Sequence, residues 1–351
     1  MLIQPANIIQ YIFVFQALFG VFLIWNNLRY RGLVYLLILA AISMIFNLLE
    51  ETAGSRDIYL VTPIFLLAKG PYFYLFVFYL VYPERHSNRN YLWHSLPMFL
   101  ALPFTQWPQT IIGLGSISQL LYAVISFQLI YKYHRATFSN RSDADSLQLD
   151  WVIKILASFL ALGLFDLIRL NLQPYISMTL NHGGQLFENA AFLLLFCTLV
   201  YKALQNPRLF DGLAEFEQSE QQLQDEPPED ISHLQVIYDT LEHMIKAESL
   251  HHKARLSLND LVEKTGINQR DISQAINQVA KISFCDYINR LRIDDIKYYL
   301  DENSQSKVNL LELAFDKGFN SKSSFNSAFK RELSMTPSQY IKQIQNAMGH
   351  E

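Results

Sequence analysis

The sequence predicts an all-α protein in two parts, a seven-helix transmembrane bundle followed by a charged cytoplasmic domain of short helices. Three observations predict it. Seven apolar runs crowd residues 1–205, an acidic stretch interrupts the chain at 206–232, and residues 233–351 show helical spacing of apolar residues broken by glycines. The average composition, 51% hydrophobic and 17% charged over 351 residues, conceals this division. Residues 1–210 carry 13 Lys and Arg, whereas residues 251–351 carry 14 against 12 acids, a net charge of +2. Residues 211–250 hold 11 acids and one lysine, so the overall charge of −4 resides largely in the connector and says little about partners.

The apolar runs fall at about 8–27, 32–49, 59–82, 92–107, 111–131, 151–170 and 186–203. Most approach the ~20 residues that cross about 30 Å of hydrocarbon as a helix. The fourth is the weakest, being broken by Pro97 and Pro103. A water-soluble fold does not hide seven such helices in 200 residues, because soluble helices need a polar face. Basic residues alternate between connections. Arg29, Arg31, Arg85, Arg89, Lys132, Arg135, Arg141, Lys202 and Arg208 follow the odd-numbered runs, against Arg56 and Arg169 in the others. This bias places the N-terminus outside and the C-terminus in the cytoplasm. The first run lacks a basic leader and a small-residue cleavage site and reads as retained. Trp25, Trp93, Trp107 and Trp151 lie near predicted span ends, as interfacial anchors do.

Three ionisable residues stand out within the runs. Lys69 lies mid-run beside Gly70-Pro71, and Asp166 and Glu188 lie toward the outer ends of runs six and seven. A lysine at that depth is costly without a carboxylate, carbonyls or water, so the three form a candidate signal-sensing group. The competing structural reading pairs Asp166 with Arg169 three residues on. Nothing points to an enzyme or a cofactor: there is no nucleotide-binding glycine fingerprint, no Walker sequence and no HExxH. His251-His252 reads as a solvated pair rather than a metal site, and Cys197 and Cys285 do not suggest a disulfide framework. An alternative class, a transporter or membrane enzyme whose tail regulates its own pathway, finds no supporting constellation in the runs.

Residues 206–232, with Pro227-Pro228, read as an acidic flexible linker. A helix follows, its stripe Leu234, Ile237, Leu241, Met244 and Ile245 suited to packing on its own domain or on a second copy. Then the same arrangement occurs twice. Leu258, Leu261 and Val262 stripe a short helix, Gly266 turns the chain, and Ile272, Ala275, Ile276 and Val279 anchor a second helix whose opposite arc is Arg270, Ser273, Gln274 and Asn277. Leu310, Leu313 and Ala314 stripe another, Gly318 turns, and Phe319, Phe325 and Phe329 anchor a helix that presents Lys322, Ser323, Asn326 and Ser327. Serine is a poor helix former. Small polar side chains on such a face suit a helix that enters a DNA groove, where Ser and Asn bond to bases or phosphate and Lys322 adds attraction. Between the pairs, Phe284, Tyr287, Ile288, Leu291, Ile296 and Leu300 space a longer helix that joins the two readers.

These residues carry a resemblance. AFDKGFNSKSSFNSAFKRELSMTPSQYI, with Gly318-Phe319, Phe325, Phe329-Lys330, Met335-Thr336-Pro337 and Tyr340, resembles the closing signature of the AraC/XylS family of bacterial transcription regulators. LSLNDLVEKTGI and YINRLRIDDIKYYL are similar to its first half, and the resemblance covers about 233–343. It implies a seven-helix double helix-turn-helix domain on double-stranded promoter DNA, often an activator that touches RNA polymerase. The implied contact residues are Arg270, Ser273, Gln274 and Asn277, with Lys322, Ser323, Asn326 and Ser327. The chain departs from the family at Ile276, often Phe, and at Ser327, commonly Arg. The apolar runs replace the usual soluble effector domain, so the expectation is a one-component sensor in the bacterial inner membrane, able to pair as a homodimer and answering a small-molecule or protein signal.

Overall fold

The computed structural model describes residues 5–52, 60–205, 231–303 and 308–348. Most of the linker 206–232 lies outside the described residues, as do Arg56 and Arg208. The described residues are helical throughout: α1 (Pro5–Ile24), α2 (Arg31–Thr52), α3 (Leu66–Val81), α4 (Asn88–Leu100), α5 (Pro108–Asn140), α6 (Asp150–Leu172) and α7 (Met178–Gln205), then α8 (Ile231–Ala247), α9 (Leu258–Thr265), α10 (Gln269–Ala275), α11 (Phe284–Glu302), α12 (Leu310–Asp316), α13 (Lys322–Leu333) and α14 (Pro337–Met348).

Contacts between residues divide the chain into two units, one of residues 1–132 and 149–212, the other of residues 133–148 and 213–351. In the first, α1 packs on α2 and α7, α2 on α3, α3 on α4, and α6 on α7. Among the described residues, six helical stretches are long and apolar enough to cross a membrane. The fourth predicted span is the exception. Its helix α4 has 13 residues, about 20 Å at 1.5 Å per residue, and a separate short turn at Leu102–Phe104 continues it. Pro97 and Pro103 account for the break, since a proline inside a helix removes a hydrogen bond and clashes with the preceding turn. Large apolar side chains point outward along the bundle, Phe15, Phe22, Leu121 and Leu194 each 60% exposed or more. So broad an exposed apolar surface suits hydrocarbon and not water. Trp25 just after α1 and Trp107 just before α5 are also exposed, whereas the Trp151 ring nitrogen is buried.

In the second unit the cores form around the two halves of α11. Phe284, Tyr287, Ile288 and Leu291 close a cluster with α8, α9 and α10. Ile293, Ile296 and Leu300 close another with α12, α13 and α14. The α8 stripe, Leu234, Ile237, Leu241 and Ile245, is buried inside this unit, with Met244 packed beside it, so it packs on its own domain. The helix starts follow local chemistry. Ser257 and Asp260 form a reciprocal capping box at α9, Asn268 caps α10, Ser283 caps α11, Asn309 caps α12 and Ser321 caps α13. At α14 the Thr336 backbone N–H donates to Gln339 Oε1 (2.8 Å) and Pro337 takes the first helical position, where its missing N–H costs nothing.

Candidate nucleic-acid interface

Each of α10 and α13 is the second helix of a hairpin. Gly266 ends α9 in the left-handed region (φ +69°), and α10 follows, prolonged by a wider π-helical turn over Ile276–Ala280. Gly318 (φ +92°) ends α12 before α13. A Cβ on Gly318 would stand 2.8 Å from the His251 carbonyl oxygen and 2.7 Å from that of His252, so only glycine permits this approach.

The face of α13 matches the sequence expectation. Lys322, Ser323, Asn326 and Ser327 are exposed, while Phe325, Ala328 and Phe329 are buried on the opposite side. Edge-to-face rings run from Phe319 to Phe325 to Phe329 to Tyr340 at 5.5–5.6 Å between centroids, fixing the axial rotation of the helix. The face of α10 differs. Asn277 is exposed and Arg270 and Gln274 are half-buried, but Ser273 is only 6% exposed, its Oγ accepting from Asn277 Nδ2 at 3.3 Å. Gln274 Oε1 is buried without a hydrogen-bond partner among the described residues. The expectation that Ser273 points outward is therefore corrected. Ser273 lies between Ile272 and Ile276 in a seven-residue helix, three of whose residues are buried, and the wider turn after Ala275 rotates the following positions off the ideal period.

Arg292, near the middle of α11, is 1% exposed. Its guanidinium donates to the His251 carbonyl from Nε (2.7 Å), to the Lys253 carbonyl (3.0 Å) and Ser142 Oγ (3.1 Å) from Nη2, and to Asn289 Oδ1 from Nη1 (3.0 Å). Burial lowers its pKa to about 10, which leaves it charged at neutral pH. Sequence reasoning missed this residue, because an arginine among alternating charges looks solvent-facing. His251-His252 is likewise not a solvated pair. His251 is buried with Nε2 3.0 Å from Asp295 Oδ2, His252 Nε2 lies 2.5 Å from the same oxygen, and Lys317 Nζ lies 3.7 Å away. Burial alone would raise the Asp295 pKa, but the hydrogen bonds from both histidines outweigh it and hold the carboxyl below its ordinary value.

Within the bundle, Lys69, Asp166 and Glu188 line one cavity of about 110 Å³, with Gln119 and Phe192. Arg169 pairs with Asp166, stands 3.6 Å from Glu188 Oε2 and donates to Asn181 Oδ1 (2.8 Å). The local Asp166–Arg169 pair and the three-residue cluster therefore coexist. Lys69 and Glu188 also border a second cavity, of about 80 Å³. Glu50 and Glu51, at the end of α2, went unremarked in the sequence. Glu50 accepts from the Thr62 N–H (2.8 Å) and hydroxyl (2.7 Å), and Glu51 from Asn7 (2.8 Å), Gln10 (3.1 Å) and Gln185.

The described residues form a bundle of long apolar helices consistent with membrane association, followed in the chain by a C-terminal helical domain that contains helix-turn-helix hairpins. Residues 261–343 match the family model described as a helix-turn-helix domain. Among known proteins, the chain is 30% identical over 87 residues to the melibiose operon regulatory protein of Escherichia coli (strain K12), covering 25% of this chain and 28% of that protein. It is 26% identical over 91 residues to the Msm operon regulatory protein of Streptococcus mutans, covering 26% and 32%. The match thus spans less than a third of the length of the curated relatives. No solved structure matches the chain. Both relatives are regulatory proteins by name.

Proposed function

We propose that this protein is a membrane-bound, sequence-specific DNA-binding transcription regulator that couples a signal at the membrane to promoter binding. The observation that carries the reading is the exposed Lys322, Ser323, Asn326 and Ser327 face of α13, backed by a closed aromatic core and lying inside the helix-turn-helix match. Arg270, Gln274 and Asn277 supply the corresponding arc of α10, with Ser273 beneath it, so the domain holds two readers joined by α11. Such readers take phosphate contacts from Lys and Arg and base contacts from Ser, Asn and Gln.

Residues 133–148 fold into one unit with the DNA-binding helices, which supports both lying on one side of the membrane. The two crossings between them, α6 and α7, agree with that. The positive-inside bias makes that side the cytoplasm and the N-terminus external, with α4 and its following turn as the fourth, broken crossing of seven. Lys69, Asp166 and Glu188 are the sensing group in this reading, because they bring ionisable side chains to a cavity inside the bundle. RNA polymerase and a second copy are its further partners. Since the α8 stripe is buried in its own domain, pairing of two copies uses another surface.

A gel shift with the full-length protein and a duplex enriched from a random pool tests the assignment. Lys322→Ala and Arg270→Ala should each weaken binding by roughly tenfold, on the order of 1–3 kcal/mol, and Lys322→Ala should reduce the salt slope by about one. Unchanged binding in both variants refutes the two faces.

A further inference from the structure

The segment between α5 and α6 reaches both hairpins of the DNA-binding unit. The Ser142 N–H donates to the Leu256 carbonyl (2.9 Å), and Arg141 pairs with Ser257 in an antiparallel bridge. Asn140 Oδ1 accepts from Gln269 Nε2 (2.9 Å), the residue before Arg270 on the first reader. Asp143 Oδ2 accepts from Asn320 Nδ2 (3.3 Å), two residues before the second reader begins. Asp145 Oδ1 lies 3.6 Å from Arg331 Nη1 in the last turn of that reader, and Ser142 Oγ receives the buried Arg292 of the joining helix. Asn140, Ser142 and Asp143 are 1%, 2% and 3% exposed, as closely packed as core residues.

From these contacts we infer that residues 140–147 are an intramolecular clamp that holds the DNA-binding unit in a low-affinity state. The inference rests on the reading of α10 and α13 as DNA readers. Two arguments give its sign. Asp143, itself paired with Arg141 (3.2 Å), stands against Asn320, and Asp145 joins Asp286 in holding Arg331 of the second reader, so duplex phosphate and the segment compete for that arginine. The segment also ties Gln269, next to the first reader face, in a conformation in which Ser273 of that face is buried and Gln274 Oε1 lacks a hydrogen-bond partner among the described residues. The clamp is continuous in the chain with α5 on one side and α6 on the other. A shift between those two helices on signal reception therefore acts directly on it, without the linker 206–232. Release biases the readers toward DNA, and by linkage DNA must bias the segment toward release.

Two measurements on the full-length protein in lipid nanodiscs test this, using a duplex enriched from a random pool. First, Asn140→Ala/Asp143→Asn/Asp145→Asn should bind that duplex tighter by roughly 5- to 150-fold, the usual range for a coupling of this kind. Equal or weaker binding overturns the clamp. Second, and independent of any variant's folding, saturating duplex should accelerate hydrogen exchange at the Ser142 amide of the wild-type chain. Unchanged or greater protection overturns it as well. Lys322→Ala run alongside separates the two ideas: if it binds as tightly as wild type, the reader assignment has failed, whereas its loss with no gain in the triple variant condemns the clamp alone.

Discussion

Gly318 shows how one residue fixes the second hairpin. Its left-handed backbone ends α12, and the missing Cβ lets the His251-His252 backbone approach within 3 Å of where that atom would be. Any side chain there meets both a disfavoured φ and backbone atoms that cannot rotate away. Gly318→Ala should destabilise the DNA-binding unit by at least ~2 kcal/mol, read as a lowered midpoint in denaturant with the bundle helices still folded. A midpoint equal to wild type would show that the turn relaxes freely. Arg292 is the polar counterpart. Its guanidinium donates to the His251 and Lys253 carbonyls at once, and lysine, with a single ammonium, does not reproduce that fork.

Among elements, α11 organises the domain, each half closing one core, and Asp295 near its centre binds the turn after α8 through His251 and His252. The pH dependence follows. The Asp295 carboxyl is depressed in the folded state, so its stabilisation is complete above the unfolded carboxylate value of about 3.9 and disappears as pH falls through the depressed value. His252 acts in the same sense: burial lowers its pKa, so the unfolded chain takes up a proton more readily as pH drops below about 6.5. Thermal unfolding of the C-terminal unit should therefore occur at progressively lower temperature from pH 7 to about pH 3, and Asp295→Asn should remove the part of that slope below about pH 4. A melting temperature independent of pH over this range would contradict the assigned pairing.

For the whole molecule, the decisive arrangement is that a connection between two bundle helices folds with the C-terminal helices. Topology then becomes testable at three points. Reporters that fluoresce only in the cytoplasm, joined after Gln148 and after Glu351, should both be bright, and one joined before Pro5 should be dark while an export-dependent phosphatase there is active. Opposite signals after Gln148 and Glu351 would break the reading, since residues 133–148 and the C-terminal helices lie in one folded unit. The proposed sensing group belongs to this scale too, because Lys69, Asp166 and Glu188 come from three helices and meet only through bundle packing.

What the sequence by itself determined is whatever repeats over a few residues. The long apolar helices, the caps at Ser257, Asn268 and Ser321, the glycine turns and the outward face of α13 depend on spacing, length and side-chain chemistry within one or two helical turns. Pro97 and Pro103 were legible as a weakness in the fourth run, though not as a 13-residue helix. Only the tertiary structure decided the burial of Ser273, the internal role of Arg292, the His251–His252–Asp295 cluster and the seating of residues 140–147 against both hairpins. These depend on partners 40 to 180 residues apart, as in the 177-residue separation of Asp143 and Asn320. A short polar stretch such as RSDADSLQ has no apolar period to betray that it will be buried, and its hydrogen bonds acquire meaning only when distant carbonyls and guanidinium groups arrive beside it.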